Sequence, residues 1–242
     1  MKAVGVIPAR WASTRFEGKV LADIAGKPMI QHVWERTSQC QHLDDVLIAT
    51  DHEQVLKAAE AFGAKAVLTR VDHPSGSDRV AEAVKDVDTD IVVNIQGDEP
   101  LISPQVIDDL VLAISQDKEV VMATVIKQIT DANDISNPNV VKAVIDDRGN
   151  ALYFSRSPIP YNRDQQDITY YKHLGLYAYT KDFLFQFIGF PPSALENAER
   201  LEQLRVLEAG YSIRTVITDQ ETIGVDTKED LKKVQGIFKT ND

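Results

Sequence analysis

Arg10, Arg15 and Lys19 lie five and four residues apart in ARWASTRFEGK, a stretch rich in small residues whose one acid is Glu17. An arginine grips phosphate through a planar fork, and a lysine acts as a mobile point charge. Three such cations can offset much of the charge of a triphosphate, within a chain whose formal net charge is −11. A solvated surface loop has the same composition. Asp98 follows Gly97 in NIQGDEP. A carboxylate beside a glycine, where backbone can approach a ligand closely, suits a hard divalent cation. Glu99 competes for that role, and a plain turn acid would read the same way. Asp226, just before Thr227, suits either the dipole of a following helix or a site shared with Asp98. Arg156, Arg163, Lys172 and His173 gather in a second region, followed by Glu199, Glu202 and Glu208. They fit an acidic-sugar site, but composition favours the alternative of surface ion pairs of little energetic weight.

Each group needs an element to position it. Val4, Val6 and Ile7 form an apolar strand that stops near Pro8, so the cations leave a strand end. The pattern predicts strands over 45–50, 64–68 and 90–95, alternating with helices over 28–39, 53–62, 79–84 and 105–115. Asp51 with Gln54 reads as a capping box for the second helix, and Ser103-Pro104 as the start of the fourth. This alternation predicts an α/β fold with a mostly parallel sheet, helices on both faces and right-handed crossovers. Ligands of such sheets bind beyond the carboxyl ends of the strands, where both 8–19 and 96–100 would lie. After residue 119 the pattern becomes mixed. Strands are expected over 120–127, 140–146, 151–155, 172–179 and 211–217, and helices over 181–188, 194–208 and 228–238. Thr227 and Asp230 would cap the last helix. The chain reads as one domain, 1–242, with a mixed subdomain inserted at about 128–210.

With 242 residues and 43% hydrophobic content, the chain can bury a sizeable core. Its acidic balance argues against nucleic-acid binding. Cys40 is the only cysteine, which excludes an intrachain disulfide and suits a reducing, cytoplasmic setting. No apolar run approaches the ~18 residues of a membrane span. The five histidines form no zinc-binding spacing, and neither a P-loop nor a G-x-G-x-x-G fingerprint is present.

Nine motifs in order resemble the CMP-KDO synthetase (3-deoxy-manno-octulosonate cytidylyltransferase) family. They are IPARWASTRFEGK, GKPMIQHV, ATDHE, SGSDR, NIQGDEP, ALYFSRSPIP, KHLGLYAY, LEQLRVLE and GVDTKEDL. The resemblance implies a Rossmann-like nucleotide-diphospho-sugar transferase fold, a homodimer and Mg²⁺. It implies that CTP and an eight-carbon sugar acid give CMP-KDO and pyrophosphate for lipopolysaccharide synthesis. Arg10 and Lys19 match triphosphate-holding cations, with Arg15 in the same loop. Pro8, Ala9, Ser75, Asp78 and Arg79 match the nucleotide pocket, and Gln96 lies between nucleotide and sugar. Asp98 and Asp226 match metal-holding acids. Arg156, Arg163, His173, Tyr177, Glu202 and Gln203 match the sugar-acid region. The segment HPSGSDR departs from the family's HQSGTER at Pro74, Ser77 and Asp78, and the loop 162–169 is short. The pattern is shared with enzymes for an 8-amino sugar, while sialic acid or a hexose 1-phosphate defines a rival substrate. A non-catalytic nucleotide-binding module is the rival of another class.

Overall fold

The computed structural model describes residues 1–12 and 16–240. The strands are β1 Ala3–Ala9, β2 Asp23–Ile24, β3 Lys27–Pro28, β4 Asp45–Thr50, β5 Lys65–Leu68, β6 Ile91–Asn94, β7 Met122–Gln128, β8 Lys142–Ile145, β9 Ala151–Ser155, β10 Tyr171–Thr180 and β11 Arg214–Thr218. The helices are α1 Met29–Thr37, α2 Glu53–Ala61, α3 Gly76–Val84, α4 Pro104–Ser115, α5 Ala132–Ser136, α6 Lys181–Ile188, α7 Ala194–Glu199, α8 Leu204–Glu208 and α9 Lys228–Thr240. Among the described residues, no helix is long and apolar enough to cross a membrane.

The main sheet runs β11-β7-β10-β6-β1-β4-β5, with β8 and β9 branching from β10. Every neighbour pair along this path is parallel except those of β10, which is antiparallel to both β6 and β7. The stretch 128–210 therefore supplies a central strand of the main sheet and is woven into the domain. Alternate residues of β1 face opposite sides. Ala3 and Ile7 pack with Ile30, Val33, Val55, Ala59 and Leu110 of α1, α2 and α4. Val4 and Val6 pack with Val80, Val84, Phe183, Phe187 and Leu204 of α3, α6 and α8. Both faces are buried, which is why β1 and β6 read as near-continuous apolar runs.

Several elements begin or end elsewhere than the sequence pattern indicates. The first helical residue of α3 is Gly76, because the Ser75 hydroxyl accepts from Asp78 N at 3.2 Å. The cap of α2 is His52, whose Nδ1 accepts from Gln54 N at 3.2 Å; Asp51 is held by another partner. The single helix expected over 194–208 is two short ones, separated where Arg200 adopts a left-handed φ of 55°. The reciprocal cap of α9 is present: Thr227 N donates to Asp230 and Asp230 N donates to the Thr227 hydroxyl. A third apolar cluster, Ile24, Met29, Val225 and Val234, docks α9 against β2 and the start of α1.

Two strand ends meet directly. Ile95 N donates to Val6 O at 2.9 Å, so β1 and β6 stay paired to the brink of their loops. A Cβ on Gly97 would sit 2.8 Å from the Pro8 carbonyl oxygen. Gly97→Ala is therefore expected to destabilise the fold by about 1–3 kcal/mol, since backbone must shift to admit the methyl. Gly236→Ala in α9, where a Cβ meets nothing within 4 Å, is expected to stabilise by about 0.5–1 kcal/mol. Thermal unfolding of the two variants checks both signs.

Candidate active site

The loops leaving β1 and β6 enclose a cleft of about 510 Å³. It is lined by Pro8, Arg10, Ala12, Lys19, Val20, Pro74, Ser75, Gly76, Gln96, Gly97, Asp98 and Asp226. The parallel order explains this gathering. Carboxyl ends of adjacent parallel strands share one edge of the sheet, and a loop from each faces the same crevice.

The organising contact is a cation between two acids. Lys19 Nζ donates to Asp98 Oδ2 at 2.6 Å, Asp226 Oδ1 at 3.1 Å and the Val225 carbonyl at 3.0 Å. Asp226 reaches this place because Val225 N donates to Asp98 O at 2.8 Å, and the Val225 side chain is wholly buried beneath. Burial pulls the Lys19 ammonium down, but the charges and hydrogen bonds of Asp98 and Asp226 outweigh it and raise the pKa. Gly18, with φ 65°, lets the chain turn into Lys19, and a Cβ there would meet the Trp11 indole at 3.1 Å.

Asp98 and Asp226 offer hard oxygen donors, and one ammonium already bridges them. That is a donor set Mg²⁺ can use, because it takes one or two carboxylates and completes its shell with phosphate oxygens and water. Among the described residues, no group of three or more His, Cys, Asp or Glu could hold a metal ion. Glu99, the competing acid, turns inward. It is 9% exposed, and burial followed by the Asp98 charge pushes its carboxyl up to about 8. It does not line the cleft that Asp98 and Asp226 share.

The other nucleotide-pocket candidates separate. Pro8, Arg10, Ser75 and Gln96 line the cleft, with Arg10 exposed. Ala9 is wholly buried, in the last position of β1. Asp78 lines a neighbouring cavity of about 430 Å³, which shares Pro74 and Ser75 with the first and includes Glu202 and Arg205. Arg79 lines neither cavity. It is completely buried, donating to Asp51 at 3.0 Å and to Thr69 at 2.5 Å. The guanidinium expected at the nucleotide is turned instead to these two protein partners, with its Nε left without one. Arg15 lies outside the described residues.

The sugar-region candidates are dispersed. Arg156 donates from Nε to Glu199 O at 2.8 Å and from Nη1 to Pro138 O at 2.9 Å. Its backbone N donates to the Glu199 carboxylate at 2.9 Å. With these carbonyl partners the half-buried Arg156 fastens two loops, and it lines neither cavity. Arg163 is exposed on the 162–169 loop and lines neither cavity. Glu202 and Gln203 lie in the break between α7 and α8. Ser77 donates to Glu202 at 2.9 Å, while burial raises the Glu202 pKa against the pull of Ser75 and Ser77. Gln203 is 3% exposed and its Nε2 has no protein partner. Gln96 Nε2 donates at 2.9 Å to the carbonyl of Gly175, inside the bulge that interrupts β10 pairing between Leu174 and Tyr177.

His173 and Tyr177 stand on β10, ring centroids 5.4 Å apart, with Phe154 against the imidazole at 4.9 Å. Burial raises the Tyr177 phenol well above its ordinary range. The Thr124 hydroxyl donates to Leu176 O at 2.8 Å, so it accepts from His173 Nε2 at 2.9 Å. His173 is then the Nε2–H tautomer with a bare Nδ1.

A family model described as cytidylyltransferase matches residues 4–219. The 3-deoxy-manno-octulosonate cytidylyltransferase of Solibacter usitatus is 54% identical over 99% of this chain and 96% of its own length. The protein of the same name from Geobacter sulfurreducens is 49% identical over 97% of this chain and 98% of its own. A solved structure described as CMP:2-keto-3-deoxy-manno-octonic acid synthetase complexed with CTP superposes with a TM-score of 0.97. It is 46% identical, and the match covers the whole of both chains.

Burial lowers the His173 pKa from 6.5 to about 3. A folded pKa below the unfolded one means stability that is present above pH 6.5 and lost as pH falls towards 3. His173→Gln removes that titration. The Tm advantage of the wild type over this variant is therefore expected to shrink steadily from pH 6.5 to 3, as read by thermal melts at stepped pH.

Proposed function

The chain belongs to the cytidylyltransferase family, and from that premise we propose that it joins CTP to 3-deoxy-D-manno-octulosonate, giving CMP-KDO and pyrophosphate. The observation that carries this reading is the cleft at the β1 and β6 ends, where Arg10 and Lys19 face Asp98 and Asp226. Relatives about half identical across nearly their full length bear the name of this reaction.

In the reaction, the anomeric hydroxyl oxygen bonds to the α-phosphorus as the bond to the leaving pyrophosphate breaks. Such transfers depend on positioning and on stabilising charge. Arg10, exposed at the rim of the cleft, can fork onto phosphate oxygens. Lys19 has two claims on its charge: the aspartates in this structure, and phosphate oxygens once a nucleotide is bound. Gly97, lacking a Cβ, keeps the cleft floor at backbone level. Gln96 spans from the cleft to the β10 bulge, which suits a residue touching both substrates. Ser75 stands on the wall between the two cavities, and Glu202 and Asp78 line the second, which suits hydroxyl groups of a sugar. Asp98 and Asp226 would hold Mg²⁺, which supplies Lewis acidity and neutralises polyphosphate charge when bound.

The reading includes a role in lipopolysaccharide synthesis and a cytoplasmic setting, which the single cysteine suits. It also includes a homodimer, for which exposed Leu152 and Tyr161 near β9 offer apolar surface.

Pyrophosphate release from CTP and KDO, with and without Mg²⁺, tests the activity; no release from this pair would reject it. Asp98→Asn is expected to lower kcat by about 10²-fold or more, the scale on which preorganised electrostatic groups act. It should leave Tm within a few degrees, because Asp98 holds Val225 through its backbone oxygen. Turnover close to wild type would remove Asp98 from the metal role.

A further inference from the structure

Arg79 is among the largest fully buried side chains in the protein, and the cleft does not use it directly. Its Nη1 donates to the Thr69 hydroxyl, which in turn donates to Thr50 O at 3.0 Å. Its Nη2 donates to Asp51 Oδ2 at 3.0 Å. This fork ties the N-terminal turn of α3 to the ends of β4 and β5. The other oxygen of Asp51 accepts from the Trp11 backbone N at 2.9 Å. One carboxylate thus links a buried arginine to the residue that follows Arg10.

Trp11 is fastened in three further ways. Its ring stacks on His52 with centroids 4.2 Å apart and planes 14° apart. Its carbonyl accepts from Gly18 N at 3.0 Å, one residue before Lys19. Its indole N–H donates to Glu17 at 3.2 Å. The two ends of the cationic loop therefore meet at Trp11, and Trp11 is tied to the rest of the protein through Asp51 and His52.

We propose that the buried Asp51–Arg79 pair is the positioning device of this loop, fixing Trp11 and through it the placement of Arg10 and Lys19 on the nucleotide polyphosphate. This rests on the cytidylyltransferase reading. A buried ion pair is often no more stabilising than apolar packing, so a purely structural need does not account for it. An exact geometric task does: the guanidinium offers a rigid fork, and the carboxylate has two oxygens to divide between Arg79 and the loop. The charges are also ordered. Burial lowers the Arg79 pKa, Asp51 opposes this, and nearby Arg10 lowers it further. Asp51 thus supports the charge of an arginine that burial and Arg10 both disfavour.

The test is Asp51→Asn in the full chain, which keeps the shape and removes the charge. It is made in wild-type and Trp34→Phe backgrounds, the latter leaving Trp11 as the only tryptophan. The expected result is a folded protein whose Trp11 is at least about twofold more open to acrylamide quenching. KM for CTP should rise about tenfold or more, the scale on which small misplacements act, while KM for the sugar acid and kcat stay within about threefold. Unchanged Trp11 quenching, or an unchanged KM for CTP, overturns the proposal. A fall in kcat with both KM values unchanged reports fewer active molecules and overturns it too. Should Asp51→Asn not fold, Arg79→Lys keeps the buried charge but cannot span Thr69 and Asp51 together, and the same readouts decide. Absence of pyrophosphate release by the wild type would strike the activity reading alone, since Trp11 quenching reports on the clamp without turnover.

Discussion

The closeness of Gly97 to the Pro8 carbonyl sets the scale of everything at the cleft. Adjacent parallel strands bring two loops to one edge, but ordinary side chains would hold those loops apart. With only hydrogen at Gly97, backbone meets backbone, and the next residue, Asp98, lands 2.6 Å from an ammonium delivered by the other loop. The third participant comes from the far end of the chain. Val225, anchored in its apolar cluster and bonded to the Asp98 carbonyl, carries Asp226 into place. Three segments distant in sequence converge because one sheet edge, one glycine and one buried valine leave them nowhere else to go.

The electrostatics follow from that convergence. A chain with a formal charge of −11 repels anions at long range, so an anionic ligand needs a local reversal of sign. In the cleft one cation, Lys19, contacts both Asp98 and Asp226, and the exposed Arg10 lines the same pocket. Such a site is balanced for a pair of partners, an anion for Arg10 and Lys19 and a cation for Asp98 and Asp226. Accepting either alone would leave charges unmatched. Glu99 lies on the other side: burial, and then the neighbouring Asp98 charge, push its carboxyl towards the neutral form.

Much of this was legible in the sequence where a local rule acts alone. Val4, Val6 and Ile7 marked a buried strand, and Ala151–Ser155 and Lys181–Ile188 have the expected bounds. The alternation of strands and helices located both loops of the cleft on one edge. Rules failed where tertiary contacts competed with them. Asp51 has the residue type and spacing of a helix cap, yet Arg79 and Trp11 claim both its oxygens and His52 caps instead. The helix over 194–208 has no glycine or proline at its break, so nothing local announced the left-handed Arg200. The resemblance carried fold and reaction class, which depend on whole motifs.

Individual cations were the least legible, for a physical reason. A charged side chain in a list of motif residues can serve a ligand or serve the backbone, and its type is the same in both cases. Lys142, wholly buried, donates to the carbonyls of Asn137, Val140 and Arg156. Arg156 then reaches Glu199 O and Pro138 O, so two cations are used to hold the irregular segment beside β8 and β9. Irregular backbone buried in a protein must have its carbonyls satisfied, and long cationic side chains do this where strands cannot. Lys19 sits at the boundary between the two uses. It binds one carbonyl, that of Val225, and two carboxylates, and its side chain remains partly open to the cleft. What separates a site cation from a structural one here is therefore its partners: carboxylates that a ligand's own charges could replace, against carbonyls that nothing else would satisfy.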